Sequence, residues 1–374
     1  TPTTAYNYIL PMLFAMVGMG AFSIGWNLLG RKSKIEDREL DDEETSNSQS
    51  PIPKLPFITG ISSAAAMILL GNLGTIRAIY HAFQRIIDTN GHYADISVFE
   101  HLWLAMQGIW KMIADKAMLP IRMGDWYWFP SRVIPAPGDV EPITEFPLFT
   151  FLYSDLHAHM IVLPLAVLAI AWAVSFLYAR FDGKNSFFQI LVEIAGASLI
   201  VGAMRPTNTW DLYSYLPLLA IIVGYALFRY VKEGIFRSIG IALIVVVAFM
   251  TIINIPLWSA PIVGYAVYAL FRSKHKEILW RIGTALAGMA VLFALSTLFF
   301  QPYIAAFGQA YGEIRQWTGS HTPLSSYFTQ WGLFLFMIVS WMWWETHEWM
   351  AETPLSVFKK TRKEWLNFAA VMVL

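Results

Sequence analysis

Residues 154–179 read SDLHAHMIVLPLAVLAIAWAVSFLYA. From Ala158 to Ala179 this stretch holds no Asp, Glu, Lys or Arg. At a rise of about 1.5 Å per residue, a helix of that length reaches across a hydrocarbon core of about 30 Å. The run therefore predicts a transmembrane helix, with Ser154, Asp155 and His157 placed where the chain meets the bilayer surface. How often such runs recur decides the fold.

Further apolar stretches of spanning length lie near 5–29, 57–80, 187–204, 212–229, 237–253, 280–300 and 328–344. A shorter one lies near 257–271, where Pro256 and Pro261 also fit a re-entrant segment, and another begins near 365. The expected fold class is all-α, a polytopic integral membrane protein of about ten transmembrane helices. Composition agrees: 56% of the 374 residues are hydrophobic and 14% charged, with a mean hydropathy of +0.50. Sixteen Trp, sixteen Tyr and 26 Phe suit aromatic belts at both interfaces. A net charge of zero gives no electrostatic case for nucleic acid. The absence of Cys removes disulfides, thiolate metal sites and a Cys nucleophile.

Lys and Arg set the orientation. If the segment after the first span is cytoplasmic, then 31–56, 180–186, 229–237, 272–281 and 345–365 all lie inside and hold 18 of the 26 basic residues. The expectation is a multi-pass protein of the cell membrane, with the N-terminus of this segment extracytoplasmic. Thr1 leads almost directly into an apolar span and Leu374 ends inside another. That predicts a single transmembrane domain over 1–374 cut from a longer polypeptide. Residues 31–56, rich in Glu and Asp, predict a solvated cytoplasmic linker. Residues 81–157 and 301–327 predict extracytoplasmic loops. In the first, Val98, Leu102, Ala105, Ile109 and Met112 recur at helical spacing, as in an amphipathic helix lying on the membrane surface. In the second, Glu313, Arg315, Trp317 and His321 fit a lid or an ordinary surface.

Four polar and aromatic clusters fall on the expected outer side. The first, Gly124–Arg132, sets Asp125 and Arg132 around Trp126 and Trp128. It reads either as an interfacial belt or as a binding strip in which rings pack on sugar or isoprenoid and Arg132 holds phosphate. The second runs from Glu145 to Asp155, His157 and His159. Ser154 or Asp155 fits a helix cap, which explains one polar residue of the four. On a helix, Asp155 and His159 share a face at i, i+4; in extended chain all three of Asp155, His157 and His159 do. Either arrangement suits a divalent ion on Asp155 and His159 with Glu145 adding an oxygen, or a His general base oriented by Asp155. The third cluster, Arg205 to Asp211, breaks a helix at Pro206 and caps the next through Asn208 or Thr209. Arg205 there either snorkels to water or binds an anion, and a phosphate shared with Arg132 is physically sound. The fourth is Gln301-Pro302-Tyr303. Glu193 lies inside a span, and Gly71-Asn72-Leu73-Gly74 suits close helix packing with Asn72 bonded across the contact.

These stretches carry a resemblance. GDWYWFPSRVIP at 124–135, ITEFPLFTFLYSDLHAHMIVLP at 143–164 and RPTNTWDLYSY at 205–215 resemble the YYY-domain membrane proteins of green non-sulphur bacteria and archaea. Ala5-Tyr6-Asn7, Leu13-Phe14-Ala15 and Gly71-Asn72-Leu73 match as well. That family is similar to the GT-C superfamily of polytopic glycosyltransferases. The resemblance implies a GT-C-like fold and transfer of a sugar from a polyprenyl-phosphate donor on the outer face. For such a transfer, Asp155 and Glu145 of this chain are the expected acid–base or metal residues, with His157 and His159 as alternatives. Arg132, Arg205, Asn208, Asp211, Asp125, Trp126, Trp128 and Trp210 would bind substrate. The triple-tyrosine signature lies upstream of the Ala-Tyr-Asn element and is absent here, so the implied principal acid belongs to a missing N-terminal part or a separate subunit. The rival expectation is a non-catalytic subunit of a larger membrane assembly. A transporter ranks last, because the polar clusters sit at span ends rather than at mid-bilayer.

Overall fold

The computed structural model describes residues 2–40, 54–89, 96–122, 124–135, 142–179, 186–230, 276–308, 316, 318–319 and 321–352. Their regular elements are helices: α1 (Pro2–Leu40), α2 (Lys54–Ile68), α3 (Gly74–Ile87), α4 (Val98–Ala114), α5 (Asp125–Trp128), α6 (Pro147–Tyr153) and α7 (Ala158–Tyr178). There follow α8 (Ser186–Thr207), α9 (Thr209–Tyr230), α10 (Lys276–Leu298), α11 (Gln301–Ala306) and α12 (Leu324–Glu352). A short 3-10 turn, Phe129–Arg132, continues α5.

Among the described residues five helical stretches are long and apolar enough to cross a membrane: Thr4–Gly30, Ala158–Tyr178, Phe187–Thr207, Thr209–Arg229 and Trp280–Leu298. They fall on five of the expected spans, short of the ten anticipated. The spans expected near 237–253 and 257–271 and from 365 lie outside the described residues, as do Glu313, Arg315 and Trp317. The stretch 57–80 is not one span: α2 stops at Ile68 and a new helix starts at Gly74. The break follows from Asn72, whose Oδ1 accepts from the Gly74 N–H at 2.9 Å, a local bond that competes with the helical ladder. The stretch 328–344 lies inside α12, a helix of 29 residues that also carries Glu345, Glu348 and Glu352. Helix α1 runs on to Leu40, so the segment expected as a linker begins as helix, in keeping with its Lys, Glu, Arg and Leu.

The chain divides into two compact units, Thr1–Leu70 with Thr150–Arg315 and Gly71–Phe149 with Gln316–Leu374. In the first, α1 and α7 run parallel. Tyr6 reaches Ser154 and Leu156, Gly20 lies on Val167, and Ser23, Ile24 and Asn27 share a cleft with Ala171, Val174 and Ser175. A Cβ on Gly20 would stand 2.6 Å from Val167 Cγ1, so a larger residue there forces the Val167 side chain to shift. Lipid is as apolar as a helix face, and it is this closeness rather than water exclusion that holds such spans together.

Helix α8 returns antiparallel to α7, with Trp172 Nε1 donating to Glu193 Oε2 at 3.0 Å. Ser198 Oγ donates to the Leu292 carbonyl and Arg205 Nη2 approaches Thr297 Oγ1, so α8 and α10 run parallel. Arg281 Nη1 donates to the Phe228 carbonyl at 3.1 Å, and Gly224 faces Met289, so α9 and α10 are antiparallel. Ile194, Val201, Leu219, Val223 and Leu292 interleave in the core of this bundle. One consequence governs the site. The start of α1, the start of α7, the α8–α9 corner and the end of α10 share one end of the bundle.

The second unit is built around α3 and α4. Ser97 caps α4 by accepting from the Glu100 N–H, while the Glu100 carboxylate accepts from the Ser97 N–H at 2.7 Å. The buried Gln84 donates to the His101 carbonyl at 2.9 Å, and Gly108 lets α4 close onto the Phe83 carbonyl. That packing uses Ala105 and Gly108, and leaves Phe99, Leu102, Trp103, Met106, Trp110 and Ile113 exposed along one broad face. Asn72 is the other anchor: its Nδ2 donates to the Pro130 carbonyl and to Gln330 Oε1, both at 2.6 Å.

Candidate functional site

The N-terminal end of α7 is shaped by a residue in an unusual conformation. Ser154 has φ +60°, a left-handed backbone that a non-glycine residue rarely adopts. Its hydroxyl donates to the Phe151 and Leu152 carbonyls, holding the turn against α6. The chain then runs extended into His157, the residue that precedes α7. This bend places His157 Nδ1 2.8 Å from Asp155 Oδ2. The pair is about half exposed, 54% for His157 and 48% for Asp155. His159 stacks on His157 with ring centroids 5.2 Å apart. The Asp155 carboxylate thus meets His157, the residue that stands just before α7.

An imidazole whose Nδ1–H is held by a carboxylate has its Nε2 lone pair fixed in direction and free to take a proton. Asp155 already gives an oxygen to His157, and among the described residues no three His, Asp or Glu side chains gather as a metal set.

The α8–α9 corner stands at the same end of the bundle. Arg205 is part-buried in the last turn of α8, its Nη2 3.4 Å from Thr297 Oγ1 and its buried Nε without a hydrogen-bond partner. Among the described residues no carboxylate forms an ion pair with it. The nearby Asp211 instead accepts from Asn208 Nδ2 at 2.8 Å, and Thr209 Oγ1 donates to the Arg205 carbonyl. Trp210 and Tyr213 project from the first turns of α9, largely exposed. A guanidinium with a desolvated, unpaired N–H favours an anion.

Asp125, Trp126, Trp128, Arg132 and Glu145 belong to the second unit. Asp125 Oδ2 accepts from the Arg122 N–H at 3.0 Å and so shapes its own turn. Arg132 lies 4.2 Å over the Trp128 ring and donates to Ser131 Oγ at 2.7 Å. Trp126 and Trp128 are each about 40% exposed. Glu145 is half-buried between the buried Thr144 and Phe146, and Thr144 ties this segment to Pro130 and Val133. Two participants escaped the sequence reading of the site, Tyr6 and Thr297. Tyr6 is marked in the sequence only as part of Ala5-Tyr6-Asn7, and Thr297 only by its position near the end of a span.

Five helices fit to cross a bilayer, packed with small residues at their contacts, define a multi-pass α-helical membrane protein. The chain belongs to the DUF2298 family of uncharacterized membrane proteins, whose pattern matches residues 1–374. No curated protein and no solved structure matches it.

Proposed function

We propose that this protein is a membrane glycosyltransferase of GT-C type that transfers a sugar from a polyprenyl-phosphate donor on the extracytoplasmic face. The observation that carries the reading is the sharing of one bundle end by an Asp–His pair and a part-buried Arg205 with which, among the described residues, no carboxylate forms an ion pair. In the transfer, His157 Nε2 accepts the proton of the acceptor hydroxyl. The acceptor oxygen bonds to the sugar anomeric carbon as the bond from that carbon to the phosphate oxygen breaks. The departing lipid phosphate gains negative charge, which Arg205 offsets. Asp155 holds the imidazole in the required tautomer and steadies the imidazolium that forms. The exposed Trp210 and Tyr213 offer faces for the sugar or the isoprenoid chain.

The test reconstitutes the full chain with a panel of polyprenyl-phosphate sugars and a lipid-extract acceptor. Transfer should occur in the wild type and vanish in Asp155→Ala and Arg205→Ala at unchanged folded yield. A second reading, a non-catalytic subunit of a larger membrane assembly, draws on α12, whose Trp331, Phe336, Trp341, Trp343 and Trp344 are all exposed. Stable co-purification of a membrane partner, with no transfer from any donor, would favour it.

A further inference from the structure

We propose that Tyr6 is a positioning residue that holds the Asp155–His157 pair in its productive geometry, an inference that rests on the proton-accepting role given above to His157. The Tyr6 hydroxyl donates to the Ser154 carbonyl at 2.9 Å and accepts from the Leu156 N–H at 3.1 Å. These two bonds grip the backbone on either side of Asp155. They come from α1, about 150 positions away in the chain, so no local interaction replaces them. The gripped turn needs holding. Its first residue, Ser154, is left-handed without being glycine, and such a conformation persists where the surroundings over-determine it.

Each part of the turn serves the pair. The His157 N–H donates to the Asp155 carbonyl at 2.8 Å, folding the backbone so that both side chains point the same way. The Nδ1–Oδ2 distance of 2.8 Å then depends on the peptide between them, whose Leu156 N–H is fixed by Tyr6. A tyrosine suits this place because its ring tolerates the edge of the bilayer while its hydroxyl reaches polar backbone. Packing of the ring alone would be served equally by phenylalanine, so the hydroxyl separates a positioning role from a structural one.

The experiment compares wild type with Tyr6→Phe in lipid nanodiscs. The readout is the imidazole proton signal of histidine labelled with nitrogen-15, assigned through His157→Gln. In the wild type a downfield Nδ1–H signal from His157 is expected, and in Tyr6→Phe that signal should be lost through exchange. With a working donor, the same variant should lower kcat by about ten- to a hundredfold, as for a catalytic group displaced by about 1 Å, with KM unchanged. Should Tyr6→Phe fail to fold, hydrogen exchange on the wild type decides: the Leu156 amide must be protected, and free exchange there overturns the proposal. An intact His157 signal in Tyr6→Phe overturns it as well. These readouts need no sugar transfer. If the signal responds while no donor supports transfer, the positioning role stands and the glycosyltransferase reading falls. If transfer occurs and Tyr6→Phe leaves both kcat and the signal unchanged, the reverse holds.

Discussion

Trp172 donates its indole N–H to the Glu193 carboxylate across α7 and α8, at 3.0 Å, well inside two membrane-spanning helices. A carboxylate at that depth is expensive without a donor. Trp172→Phe keeps the ring volume close and removes the donor, and should cost about 1–3 kcal/mol of stability, the usual penalty of a buried polar group left unpaired. Glu193→Gln keeps an acceptor and should be close to neutral. Thermal unfolding in detergent checks both, and equal losses for the two variants would contradict the structural role. Loss of transfer in Glu193→Gln at normal stability would instead assign Glu193 a proton-relay role.

Asn72 should be among the least replaceable residues of the second unit. Its amide satisfies the Pro130 carbonyl, Gln330 Oε1 and the Gly74 N–H together. Asn72→Leu leaves those groups unsatisfied in a buried setting and should destabilise by about 2–4 kcal/mol, several lost bonds being only partly additive. Unfolding of this unit followed by hydrogen exchange of 71–89 would show it. Exchange no faster than in the wild type would contradict the anchor.

The α4 cap is expected to respond to acid. Bonds from the Ser97 backbone and side chain hold the Glu100 carboxyl below its ordinary value. A carboxyl lowered on folding contributes its stabilisation above the unfolded value, and loses it as pH falls through the lowered one. Fraying at 97–101 should therefore begin only below the ordinary carboxylate range, and Glu100→Gln should shift its onset. Amide exchange across that pH range reads both.

The exposed face of α4 should lie in lipid. Phe99, Trp103, Met106, Trp110 and Ile113 form one stripe, while Glu100, Gln107 and Lys111 lie on the other side of the helix. Because the chain has no Cys, a fluorophore attached in Trp103→Cys or Trp110→Cys reports on that position alone, and should be quenched by lipids brominated near the glycerol. Quenching only by soluble acrylamide would place this face in water.

Much of the fold was legible because a bilayer imposes a length. The apolar run 158–179 became α7 almost residue for residue, and the runs near 5–29, 187–204, 212–229 and 280–300 became spans with ends moved by a few positions. Hydropathy failed at 57–80, where the helix breaks at Asn72, whose side chain accepts from the Gly74 N–H. The site was half legible. Asp155, His157 and Arg205 stood out as costly groups at span ends. The pairing of Asp155 with His157 was not legible, since it goes with a left-handed backbone at Ser154 and with the bonds of the Tyr6 hydroxyl, residues that the sequence marks without showing what they touch. Equally hidden were the bond of Asp211 to Asn208 and the lack, among the described residues, of a carboxylate paired with Arg205.

The most direct measurement is binding of a polyprenyl phosphate to the full chain, followed by native mass spectrometry in parallel for wild type, Arg205→Ala and Asp155→Ala. The account predicts a bound lipid phosphate in the wild type, a loss of at least about tenfold in affinity for Arg205→Ala, the removal of one charge-assisted contact, and near-normal binding for Asp155→Ala with transfer abolished. Undiminished binding in Arg205→Ala, or undiminished transfer in Asp155→Ala, would contradict it.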